Sequence, residues 1–93
     1  MKYKRHKYTG PVPEKLSFDG DIMTVLFKSG KKAVVDLHRF PRMMKATTEQ
    51  RKNWEIIGPG VGIHWPDVDE DIAVSTMLEL NGKRVEEPVI SEK

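Results

Sequence analysis

A histidine, a tryptophan and four acids fall within eleven consecutive residues of this 93-residue chain, Gly62 to Ile72. His64 is of the type that serves as a general base or a metal ligand, with Asp67 or Asp69 as the carboxylate that orients it. A zinc centre needs three or four ligands, and the remaining histidines are His6 and His38, far away in sequence. Nucleophile chemistry would draw on Ser29, Ser75 or Thr76, and none sits in a nucleophile-elbow motif. Asp67, Asp69 and Asp71 have the alternate spacing of the first calcium-loop ligands. The rest of that loop is missing, because Ile72 stands where glycine is required and Leu78 where a bidentate glutamate is required. The pattern excludes an EF-hand, and the sequence predicts no metal and no cofactor.

Each of these residues also has a purely structural reading. The acids can cap a helix and pair with the basic half of the chain. His64 can be a packed, hydrogen-bonded residue. Trp54 and Trp65, on consecutive predicted strands, belong to the core if they share a face. Trp65 becomes a partner anchor if it lies at the rim beside His64.

A second candidate lies at the N-terminus, where Lys4, Arg5 and Lys7 interleave with Tyr3, His6 and Tyr8. Bases alternating with aromatics can grip phosphates and stack on nucleobases. No helix-turn-helix, zinc-finger or RNA-binding signature accompanies them. Gly58-Pro59-Gly60 is not a phosphate loop, since the lysine and helix that would follow are absent. The net charge of +2 conceals an uneven distribution. Residues 1–54 hold thirteen Lys and Arg against five acids, and residues 55–93 hold three against nine. Such polarity steers a charged partner or lets one half of the fold neutralise the other.

The elements that must position these residues start with a meander. Leu16-Ser17-Phe18, Asp19-Gly20 and Ile22–Phe27 form a strand, a hairpin turn and a second strand. Lys28-Ser29-Gly30-Lys31 turns into a third strand over residues 32–37. Pro41 can open a short helix, and Thr47 with Gln50 has capping-box spacing for another near Thr48–Asn53. Trp54–Ile57 and Val61–Trp65 flank Gly58-Pro59-Gly60 as a further hairpin. Residues 71–80 fit both the two-residue and the helical period. Acids at 69–71 favour a helix there, over about residues 70–80. The expected fold is α+β: an antiparallel meander of about five strands, short helices near 41–53 and a C-terminal helix. Residues 1–13 form a basic flexible arm or peripheral strand, 14–82 the single domain and 83–93 a charged tail. A domain this short buries only about 60–65% of its unfolded surface, which makes stabilisation by a partner valuable. With no cysteine, no signal peptide and no long apolar run, the expected location is the cytoplasm.

Several blocks resemble one small bacterial family. They are Phe27–Leu37, Phe40-Pro41-Arg42-Met43, Ala46–Trp54 and Gly60–Ile72, ending in Asp69-Glu70-Asp71-Ile72. The family is the domain of unknown function two-four-four-two. The resemblance covers about residues 16–82 and implies a small α+β fold with a C-terminal helix. It brings no established reaction or ligand. Relatives fused to helix-turn-helix domains imply DNA reading, but residues 83–93 offer no such pattern. Relatives encoded beside another small protein imply a protein partner, in a toxin–antitoxin-like or stress-response pair. The leading expectation is therefore a protein-binding module. Its interface is expected on His64, Trp65, Asp67, Asp69 and Glu70, with Arg51 and Trp54 nearby. A nucleic-acid-binding accessory using the basic half is the alternative. The third reading is a metal-dependent or histidine-based enzyme centred on His64.

Overall fold

Gly20 reverses the chain between the first two strands because its φ of 62° lies in the left-handed region that a β-carbon disfavours. The computed structural model describes residues 7–85. Strands β1 (Pro13–Asp19), β2 (Ile22–Phe27) and β3 (Lys32–Asp36) form an antiparallel sheet, sheet A, in the order β1-β2-β3. Asp19 pairs with Ile22, which leaves Gly20-Asp21 as a two-residue turn. Met23, Val25 and Phe27 alternate into the interior, and Val35 and Ala33 face them from β3. A one-residue slip would expose all of them, so burial fixes the register.

The chain then leaves sheet A. Asp36 caps a 3₁₀ turn over Leu37–Arg39, and helix α1 (Pro41–Lys45) follows with proline at its first position. Helix α2 (Thr48–Lys52) starts with the expected capping box. Gln50 N–H donates to Thr47 Oγ1 at 3.1 Å, and Thr47 N–H donates to Gln50 Oε1 at 2.9 Å. Helices of five residues do not persist alone. Met43 and Arg51, both buried, tie these two to the core.

A second antiparallel sheet, sheet B, follows in the order β4 (Glu55–Ile57), β5 (Gly62–Trp65), β6 (Glu70–Ala73). Helix α3 (Val74–Glu79) continues directly from β6. The single five-stranded meander gives way to two three-stranded sheets, because the helical segment from Leu37 to Lys52 interrupts strand succession. The C-terminal helix is also shorter than expected. Glu70–Ala73 is strand, with Ile72 paired to Ile63, and the helix begins only at Val74. Asp69, Glu70 and Asp71 therefore do not cap it; its N-cap is Ala73, which makes no side-chain hydrogen bond.

Gly62 permits the tight pairing of β5 and β6. A β-carbon there would stand 2.9 Å from the Ile72 carbonyl oxygen. The core takes residues from both sheets, α1 and α3, among them Phe27, Met43, Ile63, Trp65, Ile72 and Met77. Beyond α3, the Asn81 side chain accepts from Val34 N–H at 2.8 Å, and Gly82 N–H donates to the Val34 carbonyl at 2.9 Å. No helix among the described residues is long and apolar enough to cross a membrane.

Candidate functional site

The middle strand of sheet B sets His64 opposite Glu55 of β4 on one side and Asp71 of β6 on the other. Its neighbours Ile63 and Trp65 point into the core, so the two-residue period turns His64 onto the outer face. His64 Nδ1–H donates to Asp71 Oδ1 at 2.5 Å, and Nε2 lies 4.0 Å from Glu55 Oε2. The hydrogen bond to Asp71 raises the His64 pKa above its ordinary value. Partial desolvation opposes it, and the charges of Asp71, Glu55 and Asp69 add to it. A carboxylate–imidazole–carboxylate row thus crosses all three strands, two exposed acids flanking a half-buried ring.

Further acids border this row. Asp67 is exposed and accepts from Asn53 Nδ2 at 3.0 Å. Asp69 occupies the β5–β6 turn with a φ of 52°, and its carbonyl accepts from Arg42 Nη1 at 2.6 Å. Glu70 pairs with Trp65 across the strands and is half-buried. Among the described residues, no Lys or Arg forms an ion pair with Glu55, Asp67, Asp69, Glu70 or Asp71.

Two residues expected at the interface belong to the interior. Trp65 is 0% exposed, and its Nε1–H donates to the Arg51 carbonyl at 2.9 Å, so it anchors the core and not a partner. Arg51 is 8% exposed. Its Nε and Nη2 groups donate to the Met43 carbonyl, Nη1 to the Gly20 carbonyl and Nη2 also to Asp21 Oδ1. The guanidinium also lies 6.0 Å from the Phe18 ring centroid. It joins the β1–β2 turn to α1, while its own carbonyl holds Trp65. Trp54 is half-buried and packs on the core from the segment leading into β4. Lys7 is exposed; Lys4 and Arg5 lie outside the described residues.

The sequence reading passed over Glu55 and the partnership of His64 with Asp71. Strand register alone brings these together, and it depends on the turn at residues 58–61. It also passed over a second aspartate–histidine pair. Asp36 is buried and accepts from His38 Nδ1 at 2.8 Å, His38 N–H at 3.1 Å and Val85 N–H at 2.8 Å. The Val85 bond above all holds its carboxyl well below the usual carboxylate range, although burial acts in the opposite direction. The Asp-x-His spacing at a strand end is the signal for this pair, since aspartate there bonds the backbone two residues on. No group of three or more His, Cys, Asp or Glu suited to holding a metal ion occurs among the described residues.

Residues 13–82, from β1 to just past α3, match the family profile described as "Protein of unknown function (DUF2442)". The chain belongs to this family. A similar fold is seen in the crystal structure of a protein of unknown function from Rhodospirillum rubrum ATCC 11170. It superposes with a TM-score of 0.64 at 22% identity, covering 76% of this DUF2442 chain and 88% of that one. At that identity the likeness concerns the fold alone. None of the curated proteins matches the chain.

Proposed function

We propose that this DUF2442 chain is a cytoplasmic protein-binding module, one member of a two-gene toxin–antitoxin-like or stress-response pair. Its binding surface is the outer face of sheet B and the β5–β6 turn. The observation that carries the reading is the row Glu55–His64–Asp71, bordered by Asp67, Asp69 and Glu70, with no Lys or Arg ion-paired to any of the acids among the described residues. A concentration of acids without Lys or Arg partners among the described residues complements a basic surface and speeds encounter with it. In this reading His64, Asp67, Asp69 and Glu70 contribute to the interface. Glu55 and Asp71 join them, while Trp65 and Arg51 support the face from within.

The test is affinity capture from nuclease-treated extract with the wild-type chain and a Glu55→Lys/Asp67→Lys variant, followed by calorimetry with the purified captured protein. The expected result is a basic protein whose affinity drops at least about tenfold in the variant and weakens with added salt. An affinity unchanged by the double reversal, in a variant that melts like wild type, removes the acidic face from the interface.

A further inference from the structure

A recess lies between β1 with its turn and α2 with Trp54. It is a cleft of about 540 Å³, within the range of sites that hold a peptide side chain or a small ligand. Leu16 and Phe18 of β1 and the Trp54 ring give it apolar walls, each half-buried against the core. Two charged residues line it, Arg51 and Lys52, and among the described residues no carboxylate does. Lys52 is exposed and has no ion-pair partner among the described residues.

Arg51 adds a more specific observation. A guanidinium carries five N–H donors. Four are used, two on the Met43 carbonyl, one on the Gly20 carbonyl and one on Asp21 Oδ1. The fifth, on Nη1, has no partner among the described residues, although the side chain is only 10% exposed. A buried donor without an acceptor is costly, and a ligand oxygen relieves that cost.

The third observation is the strand beside the cleft. β1 is an outer strand of sheet A, and among the described residues the backbone of Glu14–Asp19 makes no hydrogen bond beyond its ladder with β2. A row of unpaired N–H and C=O groups therefore runs next to an apolar recess. A small molecule satisfies one or two such groups, whereas an extended backbone satisfies them in series.

The geometry points to a docking site for an extended acidic segment of a partner protein, adding as a strand to β1. One apolar side chain of the segment enters between Leu16, Phe18 and Trp54. A carboxylate two residues away, on the same face of the added strand, meets Lys52 and the spare Nη1–H of Arg51. The occupant is acidic because Lys52 brings to the lining a positive charge with no ion-pair partner among the described residues, Arg51 being paired with Asp21. This site is therefore distinct from the acidic face of sheet B, which repels such a segment.

The test begins with a random heptapeptide phage library panned against the full-length chain. The expected outcome is enrichment of sequences with Asp or Glu two positions from Leu, Ile, Phe or Trp. The synthesised consensus peptide then shifts the ¹⁵N NMR signals of Ser17, Phe18, Lys52 and the Trp54 indole. Its affinity falls at least tenfold in Lys52→Glu and stays within twofold in Glu55→Lys. The proposal is overturned if no consensus emerges, if the consensus is basic, or if the peptide moves signals of Glu55, His64 and Asp71 instead. Lys52→Glu binding as well as wild type also overturns it. Self-association of the chain in sedimentation velocity that Lys52→Glu abolishes would assign the cleft to a second copy, with the same effect.

Discussion

Replacing Arg51 with methionine keeps most of the side-chain length and apolar stem but removes all four hydrogen bonds of the guanidinium. Not all four count equally. The Gly20 carbonyl and the Asp21 carboxylate lie at a partly exposed turn, where water substitutes for the lost donor. The Met43 carbonyl is different, because it belongs to a fully buried residue and retains only the 3.2 Å bond from Ala46 N–H. Charge-assisted bonds in such places contribute about 1.5–3 kcal/mol each, and with the exposed pair discounted the expected loss is about 3–4 kcal/mol. For a chain of this length, total stability is on the order of 5–14 kcal/mol, so the variant loses a large share of it. Urea unfolding followed by tryptophan fluorescence reads this directly, since Trp65 bonds to the Arg51 carbonyl and senses the same junction. The midpoint should drop by roughly 2 M for a slope of about 1.5–2 kcal/mol per M. Arg51→Lys, which keeps the charge but not the fork, should lose about half as much. An Arg51→Met variant within about 1 kcal/mol of wild type, at unchanged slope, would refute the assignment of Arg51 as the tie between the β1–β2 turn and the helices.

Three other outcomes follow from the geometry. His64 should titrate above about 6.5 by NMR and fall back towards that value in Asp71→Asn. Because its folded pKa is raised, its stabilising contribution is complete below the unfolded value and is lost as pH rises through the folded one; the melting temperature of wild type should therefore decline across that window more than that of Asp71→Asn. Gly62→Ala forces a β-carbon against the Ile72 carbonyl and should cost about 1–3 kcal/mol, seen as a melting point lower by several degrees. Thr47→Ala removes half of the capping box and should cost about 1 kcal/mol in the same unfolding assay, while Thr47→Ser stays near wild type.

What was legible in the sequence was local. Asp19-Gly20 between alternating apolar runs specified the first hairpin, and Thr47 with Gln50 specified the start of α2, because both depend on residues within a few positions of one another. The stretch from 70 to 80 failed for a physical reason. Ile72 obeys the strand period and Val74 with Met77 the helical one, and the switch at Ala73–Val74 carries no glycine, proline or side-chain cap to mark it. Arg51 was expected beside the interface, since nothing nearby in sequence announces the Met43 and Gly20 carbonyls it serves. Trp65 was misplaced by its neighbours. A central strand presents alternate residues to opposite faces, and the exposed role of His64 settles the buried role of Trp65 only once the face of β5 is known. The aggregate of acids was correctly noticed, but its purpose as a helix cap was not what the fold uses it for.

Asn81 and Gly82 saturate the backbone of Val34 on the outer strand β3, and Val85 is fastened beside them by Asp36. Sheet A consequently has two unlike margins. The β3 margin is sealed by the chain's own continuation and gives a foreign strand little to pair with. Unsealed strands invite edge-to-edge aggregation. Shortening the chain to end at Leu80 would strip that seal, and the first consequence would be loss of solubility before loss of secondary structure.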